Sequence, residues 1–312
     1  MEPKPVHISI CIPAYKRPDN IRRLLRSIAI QSFRDYEIVI SDDSPNESVS
    51  EVVSEFDSLP IRYFRNTNPL GTPNNWNHAI AQAQGTWIKV MHDDDWFATD
   101  DALEKFSEAT KAGVHFIFSK YRNVFQSGEE AAPAFPNSWH SRIRRNPVTL
   151  LSRNVIGPPS VTLVHRSLIE KYDVHLKWRV DIDYYIRILY RIKNYVFIPE
   201  CLVHVGISIT QVTNDCIDKP EVELPEGLML LKKYGTKPLR NILVYDAWWR
   251  IIRNVGVRSL NDLQAHTPGE TWPPVIIRMV AHQSRIPRRA LRIGPVSKLF
   301  MSLSYMLNRK FQ

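Results

Sequence analysis

An α/β protein is what this sequence predicts: a Rossmann-like, mostly parallel sheet flanked by helices, followed by a C-terminal helical extension. Three observations point there. Short apolar runs alternate with amphipathic stretches over about the first 100 residues, a polar cluster follows several of those runs, and from about Lys219 the pattern is helical to the end. A βαβ rhythm of this kind implies parallel strands joined by right-handed crossovers.

Each element has its own warrant. Residues 7–12 (HISICI) form a buried strand ended by Pro13. Pro18-Asp19 opens a helix in which Ile21, Leu24, Leu25 and Ile28 recur at helical spacing, with Arg22, Arg23 and Arg26 on the other face. Strands follow at 36–41, 61–65 and 86–91, with helices at 47–56 and 74–84 between them and Gly85 as a helix C′ residue. Beyond these, 101–111 reads as a helix, 114–119 and 121–125 as strands, 126–147 as a long surface loop, and 160–165 as a strand. A helix over 180–190 and short strands at 195–199 and 201–206 complete this part. The division expected is a catalytic domain over 1–215, with a nucleotide half to about 100 and an acceptor half beyond it, then an extension over 216–312.

Composition narrows the classes. A 312-residue chain that is 44% hydrophobic and 23% charged builds a sizeable core and is not disordered. Cys11, Cys201 and Cys216 are widely spaced, form no CxxC pair and suggest no disulfide framework. The first residues lack the pattern of a signal peptide, and no run is apolar enough to span a bilayer. The net charge is +9, but from Val275 onward there are eight Lys/Arg and no Asp/Glu, so the rest of the chain is nearly neutral. The body therefore needs no polyanionic partner, and no nucleic-acid module is recognisable.

In an open parallel sheet, ligands bind beyond the carboxyl ends of the strands. The clusters at 13–17, 42–46 and 92–95 all fall at such ends, so the spacing gathers them on one edge. Asp93, Asp94 and Asp95 are adjacent and repel one another unless a cation neutralises them. Hard divalent ions such as Mg²⁺ or Mn²⁺ suit carboxylate oxygen and are often shared with substrate phosphates. A solvated acidic turn is the bland alternative.

These motifs resemble the family 2 glycosyltransferases. ISICIPAYKRPDNIRRLLRSIAIQSFRDYEIVISDDSPNES is similar to that family's opening, and NPLGTPNNWNHAIAQAQGTWIKVMHDDDW to its N-x-G … L-D-x-D-D region. The likeness is strong over about 7–100 and thinner to about 210. It implies the GT-A fold, a nucleotide-sugar donor, most readily a UDP-sugar, and inversion at the anomeric centre. Two departures stand out: His92 occupies the first Asp of D-x-D-D, and Ala79 the Gly of N-x-G.

The resemblance implies a donor site drawn from Pro13, Ala14, Tyr15, Arg17, Asp42, Asn74, Asn77, His92 and Asp93. Tyr15 would stack near base and ribose, Asp42 would accept from the base imide, and Arg17 would approach base or diphosphate. His92 reads either as a surrogate ribose contact or as a turn residue. The implied metal ligands are Asp94 first, then Asp95 and Asp93, with His204 as a third metal or phosphate contact. WRVDIDYYIR resembles the family's E-D-x-D-L-x-x-R segment, with Val180 replacing Glu; by register Asp181 is the catalytic base, and Asp183 either shares that role or ion-pairs with Arg187. Gly157-Pro158-Pro159-Ser160 fits a rigid turn on the acceptor side, and Trp178 either stacks on sugar or is buried.

The tail interleaves Ile286, Leu291, Ile293, Val296, Leu299, Phe300, Leu303 and Met306 with Arg285, Arg288, Arg289, Arg292, Lys298, Arg309 and Lys310. A basic amphipathic segment suits an anionic membrane surface; a helical cap or a homodimer interface are the alternatives. The expectation is thus a peripheral enzyme on the cytoplasmic membrane face, passing sugar to a glycan or lipid-linked glycan in surface-polysaccharide or capsule synthesis. A sugar nucleotidyltransferase is the rival enzyme, disfavoured because PAYKRPDN lacks a Gly-rich loop. A catalytically silent nucleotide-binding subunit is the other rival, supported by His92 and Val180.

Overall fold

A computed structural model of the chain describes residues 6–133, 135–192, 194–208 and 215–311. Residues 209–214, which lead to the expected boundary at 215, lie outside the described residues. Two compact units divide the chain discontinuously: Met1–His140, Val155–Val174 and Arg187–Ile209 form the first, and Ser141–Asn154, His175–Ile186 and Thr210–Gln312 the second. The second unit therefore draws two segments from the first 215 residues.

The first unit is built on one mixed sheet. Its strands are β1 (Ile8–Ala14), β2 (Tyr36–Asp42), β3 (Ile61–Arg65), β4 (Trp87–Val90), β5 (Asp95–Phe97), β6 (Phe116–Phe125), β7 (Glu130–Ala131), β8 (Thr162–His165) and β9 (Val196–Ile207). The order is β3-β2-β1-β4-β8-β6-β9-β5, with β7 paired to β6. The β3-β2-β1-β4 half is parallel, as the strand–helix alternation requires; β8 is antiparallel to both β4 and β6. Every residue of β1 and β2 is buried, the pattern of strands covered on both faces. The crossovers are α1 (Pro18–Ala29), α2 (Ser48–Ser54) and α3 (Asn74–Gln82), followed by α4 (Ala102–Thr110). Ile21, Leu24, Leu25 and Ile28 of α1 are fully buried, as their spacing predicts.

Several expectations change. β1 runs through Pro13 to Ala14. Cys11 O accepts from Met91 N, so the missing N–H of Pro13, two residues on, falls on the β4 side, beyond the last pairing of Cys11 with Val90. Gly85 is not a left-handed helix cap. It lies against β1, where its N–H donates to Ser9 Oγ at 2.7 Å and an added Cβ would meet Ser9 N at 2.6 Å. The breaks expected after Ser119 and Pro199 lie within two continuous strands, β6 and β9, whose register shifts on both sides of Lys120, which pairs with Cys201 and leaves Pro199 outside the pairing. The long loop contains β7 and α5 (Ser138–Arg145). β5, hidden in the acidic stretch, pairs with β9.

Helix α6 (Val180–Arg191) crosses from one unit to the other in sequence, and α7 (Pro220–Tyr234), α8 (Ile242–Asn254), α9 (Leu260–His266), α10 (Pro274–Ser284), α11 (Arg288–Leu291) and α12 (Gly294–Asn308) belong to the second unit. Trp249 and Trp272 are buried in its core. Helix α12 packs inside out. Its inward positions are Ser297, Met301, Ser304 and Asn308. Ser297 Oγ accepts from Trp249 Nε1 at 3.1 Å, Ser304 Oγ meets Tyr245 OH at 2.6 Å, and Asn308 Nδ2 donates to that same hydroxyl at 2.8 Å. Leu299, Leu303, Met306 and Leu307 face solvent at 59, 44, 62 and 62% exposure. Among the described residues, no helix is long and apolar enough to cross a membrane.

Candidate active site

The carboxyl ends of β1, β2 and β4 assemble one polar edge. After β1 the chain turns through Lys16 and Arg17 in the left-handed region, at φ 59° and 57°, an uncommon state for residues with a Cβ that marks sites held by their surroundings. Lys16 N donates to Ser44 Oγ at 2.6 Å, tying this turn to the end of β2. The Arg17 guanidinium lies 3.7 Å from Asp93 and 3.6 Å from Asp94, tying it to the end of β4. The Tyr15 N–H also supports Asp93, while the Tyr15 ring is 48% exposed.

Asp42 is fully buried, its oxygens accepting from Ser44 N at 2.8 Å and Tyr63 OH at 2.6 Å. With no exposed surface in this structure, the carboxylate holds the turn and Tyr63. Asp43 accepts from Asn66 Nδ2, Leu70 N and Gly71 N, fixing the loop after β3. Beside this network an open cleft of about 620 Å³ is lined by Tyr63, Arg65, Asn66, Asn68 and His78 among others. Pro13 and Ala14 are buried strand residues. Asn74 is exposed, and Asn77 clamps the main chain of Tyr172 at 2.8 and 3.0 Å. Asn75, between them, is the residue that stitches the strand ends: its Nδ2 donates to Ala14 O at 3.2 Å and Ser41 O at 3.0 Å.

The acidic turn is packed tightly. Gly206 of β9 approaches so closely that an added Cβ would stand 2.4 Å from Asp94 O, and its N–H donates to Asp95 Oδ1 at 3.2 Å. Arg23 donates to Asp94 O at 2.8 Å and lies over the Trp96 ring. Lys89, fully buried in β4, donates to Ser160 O, and His92 N donates to Ser160 Oγ at 2.9 Å. Burial, and then the charge of Asp94, push Asp93 up to about 7 and Asp95 well above the carboxylate range; burial pulls Lys89 down to about 7 and His92 below its ordinary value. A cation would relieve that repulsion. One ring nitrogen of His92 and an oxygen from each of Asp94 and Asp95 lie within 4.8 Å of one another. Asp95 Oδ2 and His92 Nε2 are buried without a hydrogen-bond partner among the described residues, so the donor set fits a divalent ion. His204 and Asp93 stand outside that group. His204 pairs across from Trp96, and its ring packs on the indole at 5.3 Å.

In the second unit, Asp181 opens α6. Its carboxylate accepts from Asn154 Nδ2 at 2.7 Å and Ile182 N at 2.8 Å, while burial raises it to about 7. Glu226 of α7 caps the segment before α6, accepting from the N–H groups of Lys177, Trp178 and Arg179. Trp178 is half-buried. Asp183 is fully buried and paired with Lys233 at 2.7 Å and Tyr234 OH at 2.7 Å, a structural ion pair whose partner comes from α7. Asn75, Lys89, Asn154, Gly206 and Glu226 escaped the sequence reading, and Ser160, read there as part of an acceptor-side turn, is bonded to Lys89 and His92; of the missed residues only Lys89, a lone charge inside an apolar strand, left a signal in the sequence.

The model of Glycosyl transferase family 2 matches residues 9–173. A Campylobacter jejuni protein named GalNAc(5)-diNAcBac-PP-undecaprenol beta-1,3-glucosyltransferase is 31% identical over 114 residues, 36% of this chain and only 37% of its own length. The putative colanic acid biosynthesis glycosyl transferase WcaA of Escherichia coli is 26% identical over 216 residues, covering 66% of this chain and 75% of that one. Among solved structures, residues 1–349 of S. aureus TarS in complex with UDP-GlcNAc align with a TM-score of 0.59 at 16% identity, covering 98% of this chain and 92% of that one, a likeness of fold. With the parallel half-sheet and the family match over more than half of its length, the chain has the GT-A fold and belongs to glycosyl transferase family 2.

Proposed function

We propose that this chain is an inverting glycosyltransferase that moves a sugar from a nucleotide-diphosphate donor, UDP-linked, to a hydroxyl of a glycan or lipid-linked glycan in surface-polysaccharide or capsule assembly. The observation that carries the reading is the meeting of three strand-end clusters, in which Arg17 reaches Asp93 and Asp94 while Lys16 is tied to Ser44. The names of the relatives, which speak of undecaprenol-linked and colanic acid chemistry, support the acceptor class.

Tyr15 offers its exposed ring to the base. Arg17 exchanges its carboxylate partners for the donor diphosphate, to which a guanidinium is well matched. Asp94 and Asp95 hold a divalent cation, Mg²⁺ or Mn²⁺, that supplies Lewis-acid stabilisation to the departing diphosphate. Asp181 takes the proton from the acceptor hydroxyl as that oxygen attacks the anomeric carbon; a carboxyl near 7 is matched to that task. The outward face of α12 rests on an anionic lipid surface. Eight Lys/Arg and no acidic residue fall from Val275 onward, and those other than Lys298, which pairs with Asp246, supply the complementary charge.

Turnover of UDP-, GDP-, CMP- and dTDP-sugars with a lipid-linked acceptor tests the reading. Metal-dependent release of UDP with inverted product is expected. UDP binding without transfer to any acceptor would make the chain a silent nucleotide-binding subunit.

A further inference from the structure

The acidic turn departs from an all-oxygen site at one residue. His92 stands in it with a ring nitrogen within 4.8 Å of ligand oxygens from Asp94 and Asp95. Two atoms of the group, His92 Nε2 and Asp95 Oδ2, are buried without a hydrogen-bond partner among the described residues, the Asp95 carboxylate being otherwise supported by the Ser160 hydroxyl and Gly206 N–H, and Asp95 is only 1% exposed. Buried polar atoms in that state call for a ligand. The imidazole is also held in place. It lies on the Trp76 ring at 4.5 Å, Trp76 is edge-on to Tyr172 at 5.2 Å, and Ser160 Oγ fixes the His92 main chain at 2.9 Å. A turn residue with no further role needs none of this support.

We propose that His92 is a nitrogen ligand of the cation site and makes it favour a first-row transition ion, Mn²⁺ in the simplest case, over Mg²⁺. This rests on the metal reading above and adds the identity of the ion. Mg²⁺ takes oxygen ligands and sheds its waters reluctantly. Imidazole nitrogen suits transition ions, whose affinity for a mixed site rises from Mn²⁺ onward, while the two carboxylates keep the site hospitable to Mn²⁺.

Calorimetric titration of the chelator-treated full chain with MnCl₂ or MgCl₂, with and without UDP, tests this. Pulsed electron paramagnetic resonance of the Mn²⁺-loaded protein is the second readout. His92→Phe keeps a ring against Trp76 but removes the nitrogens; His92→Asp restores an all-oxygen set. The wild type should show a directly bound nitrogen that His92→Phe loses, with Mn²⁺ affinity falling at least about 10-fold. His92→Asp should lower the Mn²⁺-to-Mg²⁺ preference by about 10-fold or more. Mn²⁺ binding without nitrogen coupling, at equal strength in His92→Phe, overturns the role of His92 and leaves the metal reading standing. Weakened UDP binding in His92→Phe with unchanged Mn²⁺ binding also overturns it, in favour of a nucleotide contact. No Mn²⁺ binding by the wild type under either condition overturns both. Should His92→Phe fail to fold by circular dichroism, the wild-type resonance and His92→Asp decide.

Discussion

The strand-end edge of the first unit and the outer face of α12 in the second invert the ordinary sorting of residues in opposite directions. At the edge, charged groups are inside: Lys89 and Asp42 are fully buried and Asp95 is 1% exposed. On α12, Leu299, Leu303, Met306 and Leu307 are outside, and Ser297, Ser304 and Asn308 point in beside a single apolar residue, Met301. Buried charges and clustered exposed apolar side chains are the informative exceptions to burial rules. The edge is held by fixed partners from several strands, so its chemistry depends on position. The α12 face is held from behind by hydrogen bonds to Trp249 and Tyr245, while Leu299, Leu303, Met306 and Leu307 stand in solvent. Substitutions at the edge should therefore change turnover or stability, and substitutions on the face should change neither.

The largest effect is expected at Asp94. Removing the carboxylate withdraws charge stabilisation worth several kcal/mol in such sites, so Asp94→Ala should lower transfer by about 10³-fold or more. The melting temperature should not fall, because Asp94 is a source of the repulsion that raises Asp93 and Asp95. Near-full activity with unchanged sensitivity to chelator would break the contrast at its strongest point.

Asp181→Asn comes next, with a fall in turnover of about 10²–10⁴-fold and donor binding retained. Because the folded carboxyl titrates near 7, the wild-type rate should rise as pH passes through about 7, and that limb should vanish in the variant. The sign for stability is the reverse. The folded state keeps a proton that the unfolded chain releases from its ordinary value of 3.8, so this group's contribution falls as pH rises from there to about 7. Asp181→Asn should accordingly melt higher than wild type at pH 8. If Asp183→Asn loses turnover instead, with folding intact, the base is two residues on.

Much of the edge was legible in the sequence because strand ends and acid runs are local patterns. The parallel pairing among strands β1 to β4 and the gathering of residues 13–17, 42–46 and 92–95 at strand ends both follow from spacing; the order β3-β2-β1-β4 does not. What was illegible depends on non-local partners. The family resemblance makes Asp42 a base contact, but that Tyr63 and Ser44 donate to its two oxygens could not be read from the sequence. Gly85 reads as a helix C′ residue and Gly206 as an ordinary strand residue, but each is required by a close backbone approach, of β1 to Gly85 and of the acidic turn to Gly206. Helix α12 misleads for the same reason. Its leucines predict an amphipathic segment correctly, but only Trp249, Tyr245 and His282 reveal that the polar side faces inward.

Gly206→Ala sharpens the comparison by disturbing the edge without touching a charge. A Cβ 2.4 Å from Asp94 O must push the acidic turn or β9 aside, and overpacking of this kind costs about 1–3 kcal/mol. A lower melting temperature together with roughly 10–100-fold weaker Mn²⁺ binding is expected, the size of effect seen when a residue supporting a metal site is lost. A lower melting temperature with normal Mn²⁺ affinity would show that the turn does not set the ligand geometry.

The smallest effect on turnover belongs to Leu303→Glu/Leu307→Glu, which should leave transfer to a short soluble acceptor within about twofold of wild type, since exposed substitutions away from special features rarely matter to stability. Its effect should appear only at a lipid surface. The wild type should sediment with vesicles containing anionic phosphatidylserine. Each Lys/Arg near that surface contributes about 1 kcal/mol, and the attraction is confined to a Debye length of about 8 Å at physiological salt. Salt should therefore weaken binding without abolishing it, because inserted Leu and Met side chains add a salt-insensitive part. The double variant should lose that residue of binding first, pelleting weakly at low salt and not at all at high salt. Equal pelleting of both proteins, or none by either, sinks the membrane assignment. A concentration-dependent dimer of the wild type that the variant loses, seen by size-exclusion chromatography without lipid, would instead make a second copy of the chain the occupant of this face.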